Sequence, residues 1–195
     1  MNDISRRLFI FGGATAATAF VFFSVNRMGS SAVADAPENE SQSGPVTIVE
    51  FGEDGKRIGS ATRPKIKKTP LEWRKQLSND SFAITRRAGT EDPGTGDLLH
   101  EHGAGIFRCI CCDNALFDFT AKFESGTGWP SFWEPIAKEN VYERLDVSLG
   151  AVRREVKCTL CDAHLGHVFT DGPDPTGLRY CMNSVALRFS PRKKT

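Results

Sequence analysis

The sequence predicts a mainly β domain with short helices at its N-terminal side and a metal knot of cysteines. From Ile106 onward, apolar residues fall in short runs separated by Gly, Pro, Asn and Asp, the rhythm of short strands and turns. The 18 Gly, 14 Phe and 3 Trp suit a β-rich core punctuated by turns. Upstream, Thr69-Pro70-Leu71-Glu72 reads as a helix start, with Thr as N-cap, Pro at the first position and Glu closing a capping box. At 195 residues, 39% of them apolar, the chain has room for one compact domain and a tail.

Residues 1–34 read as an export address. Arg6-Arg7 precede an apolar stretch to Val25, and Ala32-Val33-Ala34 is an A-x-A cleavage signature. Ser5-Arg6-Arg7-Leu8-Phe9-Ile10 resembles the bacterial twin-arginine signal, which implies a periplasmic destination. The alternative is an uncleaved anchor, since Leu8–Val25 is 18 mostly apolar residues, diluted by Gly12 and Gly13. The whole chain carries a net charge of +1, and the address takes Arg6, Arg7, Arg27 and Asp3 with it. What remains is close to neutral and has no long basic run, which argues against a nucleic-acid partner or a membrane-surface field.

Residues 35–64 are expected to be a linker, polar over 35–45, with a short hairpin of Val46–Phe51 and Lys56–Gly59 around Glu53-Asp54-Gly55. The domain then spans 65–195. A helix from Thr69 supplies Leu71, Trp73 and Leu77 as apolar contacts. Ser78-Asn79-Asp80 ends it and opens a second through Arg86. Strands are expected at Ile106–Cys109, Val141–Leu149, Val152–Lys157, Val168–Thr170 and Leu178–Phe189.

Five of the six cysteines lie in or between two CxxC pairs, Cys109-Ile110-Cys111-Cys112 and Cys158-Thr159-Leu160-Cys161. Each pair can present two thiolates from one turn, and two pairs complete a closed tetrahedral zinc site that stabilises rather than catalyses. Redox dithiols or disulfides are the competing readings. Cys111, the odd thiol inside the first pair, reads as a neighbour pointing away from the metal.

The sixth cysteine, Cys181, stands in Arg179-Tyr180-Cys181-Met182-Asn183. On one continuous strand, period-two alternation puts Arg179, Cys181 and Asn183 on one face, before that face turns apolar at Val185, Leu187 and Phe189. A thiol between a cation and an amide is a candidate low-pKa nucleophile, whereas a lone strand Cys is otherwise a small buried hydrophobe. His164 and His167 suit proton transfer, with core packing or metal ligation as alternatives. The aromatic loop Gly126-Thr127-Gly128-Trp129-Pro130-Ser131-Phe132-Trp133 is either core or the wall of a pocket for a methyl-bearing ligand.

Thr90-Glu91, the two CxxC pairs, GTGWPSFW (126–133), HLGHVFTDGP (164–173) and PTGLRYCMNSVALRF (175–189) together resemble the type B methionine sulfoxide reductases, over about Thr69 to Phe189. The resemblance implies two antiparallel sheets in a tent-like arrangement, a structural zinc on Cys109, Cys112, Cys158 and Cys161, and Cys181 as the catalytic thiol. It implies that Trp129 packs on the substrate S-methyl group and that Phe169 and Asp171 support the pocket. His164, His167 and Asn183 are to hold the sulfoxide oxygen and supply protons, and Arg179 to activate the thiolate. The implied reaction reduces methionine (R)-S-oxide, protein-bound or free, through a Cys181 sulfenic acid in a monomer. Many members carry a resolving cysteine in the Gly-x-Gly-Trp-Pro loop. Here that position is Thr127, so the expected reductant is an external thioredoxin-like thiol protein.

Overall fold

The computed structural model describes residues 44–192. The export-address reading and residues 35–43 of the expected linker lie outside the described residues.

The hairpin forms, from β1 (Val46–Phe51) and β2 (Arg57–Arg63), and it is longer than expected. It is also docked rather than lying in a linker. Val46 and Ile48 join the hydrophobic core, and the fully buried Asn140 stitches the hairpin to the domain. Asn140 Oδ1 accepts from Val49 N at 2.7 Å, and its Nδ2 donates to the Val49 and Ala115 carbonyls at 2.8 and 2.7 Å.

Helix α1 (Pro70–Gln76) starts as its sequence dictates. Thr69 Oγ1 accepts from Glu72 N, and Glu72 Oε2 accepts from Thr69 N at 2.7 Å. Such a cap contributes about 1 kcal/mol. Trp73 is buried, but Leu71 is 64% exposed and supplies none of the expected packing. Two residues are about 200° apart on a helix, so a two-turn element that buries Trp73 must expose Leu71. Helix α2 (Asn79–Arg87) is capped by Ser78 and stops at Ala88, whose φ is 52°.

The strands make two antiparallel sheets besides the hairpin. β5 (Lys122–Phe123), β6 (Ser131–Phe132), β7 (Val141–Asp146), β8 (Arg153–Cys158), β9 (His164–Phe169) and β10 (Arg179–Met182) form a six-stranded sheet in the order β5-β6-β10-β9-β8-β7. β3 (Gly105–Cys109), β4 (Ala115–Asp118) and β11 (Leu187–Pro191) form the second, ordered β11-β3-β4. Phenylalanines fill the core: Phe117 stacks on Phe132 at 4.4 Å, and Phe107 meets Phe132 edge-on at 4.9 Å.

The expected single strand Leu178–Phe189 is two. β10 ends at Met182, a 3₁₀ turn over Ser184–Ala186 redirects the chain, and β11 enters the other sheet. The Glu91 carboxylate makes the break by accepting from Ser184 N at 2.6 Å and Val185 N at 3.1 Å. Asn183 therefore sits on a turn and is not aligned with Cys181 by strand alternation.

Candidate active site and metal knot

Strand register assembles the candidate site. Ser131 pairs with Cys181, Cys181 with His167, and His167 with Glu155, one row across four strands. Residues in register share a face of the sheet. His164 joins that face against the period-two rule, which places residues three apart on opposite sides. The reason is a β-bulge: Val156 pairs with Gly166 and Lys157 with His164, leaving Leu165 as the extra residue. Gly166 is required there, because a Cβ would lie 2.1 Å from the Cys181 carbonyl oxygen.

A cavity of about 120 Å³ opens above this row, lined by Thr90, Trp129, Arg153, His167, Phe169, Cys181, Asn183 and Gly166. That is roughly the room of four waters, enough for the head of a small sulfur-bearing side chain. The Trp129 indole is fixed by its Nε1–H, which donates to the Glu91 carbonyl at 3.1 Å. A larger cavity of about 810 Å³, bordered by α2 and the Ser184 turn, is lined by no thiol and no imidazole.

Both histidines are held by carboxylates. Glu155 Oε1 accepts from His164 Nδ1 at 2.7 Å, and Asp146 Oδ2 accepts from His167 Nε2 at 2.8 Å. Asp146 Oδ2 also accepts from Arg153 Nη2 at 2.8 Å. Hydrogen bonds from Ser148 and His167 hold the Asp146 carboxyl well below the usual carboxylate range. Burial pushes His167 below the ordinary imidazole value, with Arg153 reinforcing the effect and Asp146 opposing it. With Nε2–H committed to Asp146, neutral His167 keeps a lone pair on Nδ1. His164 lies behind the cavity rather than lining it, and its Nε2 is buried with no hydrogen-bond partner.

The structure refines the expected roles of four residues. The Cys181 thiol does not rest at a lowered pKa: burial pushes it up, and the Thr127 hydroxyl, the Arg179 guanidinium and the Ser131 hydroxyl pull it down without offsetting that. Arg179 is shared rather than aimed at the thiol alone. Its Nε and Nη2 donate to the two Asp171 carboxylate oxygens at 2.9 Å each, and its guanidinium covers the Phe169 ring at 4.4 Å. Asp171 does not line the cavity; its side chain is 63% exposed and holds Arg179. Asn183 does border the cavity, but its Oδ1 accepts from Glu91 N at 3.0 Å and its Nδ2 donates to the Leu165 carbonyl at 3.1 Å. Sequence reading missed Asp146, Arg153 and Glu155, whose charges reach the row only through strand pairing.

The two CxxC segments form matching knuckles. In each, the first cysteine's N–H donates five residues on (Cys109 to Asn114 O, 2.8 Å; Cys158 to Ala163 O, 3.0 Å). In each, an aspartate at positive φ donates back to that cysteine's carbonyl (Asp113 and Asp162, both 2.9 Å). The sulfurs of Cys109, Cys112, Cys158 and Cys161 all lie within 4.8 Å of one another, so four cysteines are positioned to bind a metal. Cys109–Cys161 and Cys112–Cys158 approach to 3.7 and 3.6 Å, far beyond a disulfide bond. The donor set fits a metal on its own chemistry. Neighbouring thiols, Cys111 foremost, and burial hold Cys109 well above the ordinary thiol value, and a central cation removes that penalty by accepting thiolates. Because Cys109 ends β3 and Cys158 ends β8, the metal would tie the two sheets together. Cys111 does not point away from the knot. It is buried against the Cys109 and Cys161 thiols and the Thr85 hydroxyl.

A second group, His100, His102 and Glu124, is exposed. The Lys122 ammonium 3.7 Å from Glu124 already supplies that carboxylate with a counter-charge.

The SelR domain model matches residues 77–191. The peptide methionine sulfoxide reductase MsrB of Pseudomonas putida (strain W619) is 56% identical over 128 residues, 66% of this chain and 96% of that protein. The protein of the same name from Hahella chejuensis is 52% identical over 125 residues, covering 64% and 90%. That of Bradyrhizobium diazoefficiens is 50% identical over 131 residues, covering 67% and 94%.

Proposed function

Because the chain belongs to the SelR-domain family of MsrB-type proteins, we propose that it is a thiol-dependent methionine sulfoxide reductase acting on the R epimer. The observation that supports this most strongly is the Ser131–Cys181–His167–Glu155 row beneath a cavity walled by Trp129 and Phe169. The indole and phenyl faces suit an S-methyl group, and the polar row suits the sulfoxide oxygen. Each epimer has its own enzyme, and the type B relatives point to R.

The chemistry follows from the resting protonation states. Cys181 is a thiol and His167 a neutral base, directly opposite. As substrate fills the cavity, His167 Nδ1 takes the thiol proton, and the Asp146 carboxylate stabilises the imidazolium. The thiolate attacks the sulfoxide sulfur, and the imidazolium returns the proton to the sulfoxide oxygen, which becomes a better leaving group. The S–O bond of the substrate breaks, and the oxygen leaves as hydroxide and attacks the Cys181 sulfur. The transient S–S bond breaks with its electron pair going to methionine, and Cys181 is left as S–OH. Cysteine sulfur gives up two electrons and the substrate sulfur gains them.

Recycling then needs two electrons from outside. Thr127, not a thiol, stands 3.8 Å from the Cys181 sulfur, and Cys111 is buried in the knot. An external dithiol protein, thioredoxin-like, therefore reduces the sulfenic acid to thiol and water. Mass analysis after one turnover without reductant tests this: gain of one oxygen at Cys181 is expected, and loss of two hydrogens with a Cys111–Cys181 link would overturn it.

The metal is read as zinc, because a closed four-thiolate set suits it and leaves no open position for catalysis. The N-terminal 34 residues are read as a twin-arginine address, which delivers folded, metal-loaded protein to the periplasm.

A further inference from the structure

The Cys181 sulfur touches a chain of hydroxyls. Thr127 Oγ1 lies 3.8 Å from Sγ, Ser125 Oγ is 2.8 Å from Thr127 Oγ1, and Ser131 Oγ is 2.8 Å from Ser125 Oγ. The chain ends at the Trp129 carbonyl, 3.1 Å from Ser131 Oγ. Residues 125, 127 and 131 converge because the loop folds back on itself, with Gly126 and Gly128 at φ of 70° and 91°. A Cβ at Gly128 would also lie 2.8 Å from Pro93. Ser131 is fully buried opposite Cys181 in register, so solvent does not compete for its hydroxyl.

Each hydroxyl has one proton to give and lone pairs to accept with. A line of three between a thiol and a carbonyl therefore has two paired arrangements. When Cys181 is a thiol, S–H donates to Thr127, Thr127 to Ser125, Ser125 to Ser131, and Ser131 to the Trp129 carbonyl. When it is a thiolate, every arrow reverses: Thr127 donates to sulfur, Ser125 to Thr127 and Ser131 to Ser125. We propose that Thr127, Ser125 and Ser131 form a reversible hydroxyl relay that serves both charge states of Cys181, with Thr127 as the thiolate's donor. No proton passes along the relay, since each hydroxyl rotates about its C–O bond and keeps its own. The thiol proton leaves on the other side, toward His167.

The charged or titratable groups facing Cys181 are His167 from β9, Arg179 from β10 and Arg153 from β8 across the cavity. β6 and the 125–129 loop contribute hydroxyls instead. Thr127, Arg179 and Ser131 all pull the thiol down. The inference rests on Cys181 being the reactive thiol, and its test reads that thiol without any sulfoxide.

The experiment measures Cys181 alkylation by iodoacetamide against pH in the metal-loaded protein, following the mass of the Cys181 peptide. Thr127→Val, similar in shape but unable to donate, should raise the thiol pKa by about one unit, the order expected for loss of a charge-assisted hydrogen bond. Thr127→Ser should restore it. Ser125→Ala removes the acceptor of Thr127 in the thiol state and its donor in the thiolate state but leaves the Thr127–sulfur contact, so the pKa should move by much less than in Thr127→Val. An unchanged titration in Thr127→Val would overturn the relay. So would a rise in Ser125→Ala matching that of Thr127→Val, because loop packing alone moves both variants the same way. If wild-type titrates as described yet reduces no sulfoxide, the reductase reading fails and the relay stands.

Discussion

Cys181 and His167 stand directly opposite each other on neighbouring antiparallel strands, and Asp146 holds the far nitrogen of that imidazole at 2.8 Å. Burial sets the resting states of the pair, a protonated thiol and a neutral imidazole, by raising the one and lowering the other. The reactive form, thiol with neutral imidazole, is populated above the His167 pKa and below the Cys181 pKa. Activity should therefore hold as pH falls through the ordinary imidazole value of about 6.5 and fail only below it.

Two substitutions should move that acid limb in opposite directions. Arg153→Gln removes a charge that lowers His167, so the limb of kcat/KM should shift up in pH. Asp146→Asn removes a hydrogen bond that raises His167, so the limb should shift down, with a rate loss of roughly 10- to 100-fold from the lost imidazolium partner. Shifts of the same sign in both variants would contradict the assignment of the limb to His167.

Replacing Cys112 by Ser should release the metal and unfold the domain together. Structural zinc sites supply folding free energy on the order of 10 kcal/mol, and the four-cysteine knot joins the ends of β3 and β8 in different sheets. Metal content and thermal melting should drop in step. Full metal content at an unchanged Tm would count against the four-cysteine site.

Gly166→Ala should be poorly tolerated although it adds a single methyl group. Its Cβ would meet the Cys181 carbonyl at 2.1 Å and Met182 Cα at 3.0 Å, both backbone. The bulge that brings His164 and His167 to one face should be displaced, with a stability loss of about 3 kcal/mol or more. Wild-type stability with wild-type activity would show that the bulge does not set the site.

Features written in a few adjacent residues were legible in the sequence. The capping box at Thr69 and Glu72 and the two CxxC knuckles each depend on neighbours within five positions. What escaped depends on distant chain. The alternation of Arg179, Cys181, Val185 and Phe189 suggested one strand, and only the Glu91 carboxylate, some ninety residues upstream, breaks it at Ser184. His164 and His167 share a face through a one-residue bulge whose local sign is Gly166 alone. Asp146 and Arg153 reach His167 by strand pairing, which periodicity does not register. Arg179 does pull the Cys181 thiol down, but nothing in the sequence signalled that the same guanidinium is shared with Asp171.

Changing Arg6 and Arg7 together to Lys should leave the precursor in the cytoplasm, because the twin-arginine route reads that pair. Cell fractionation with an antibody to the mature domain checks this. Delivery of the double variant to the periplasm would point to the general secretory route.

The central claim is that Cys181 reduces the R epimer of methionine sulfoxide. Its most direct test is turnover of each dabsylated methionine sulfoxide epimer, separately, by the metal-loaded protein with dithiothreitol, beside a Cys181→Ser variant confirmed to keep its metal and fold. The account predicts that the R epimer is converted to methionine, the S epimer is untouched, and the variant is inactive on both. Turnover of neither epimer by the wild type, or turnover that survives in Cys181→Ser, would contradict it.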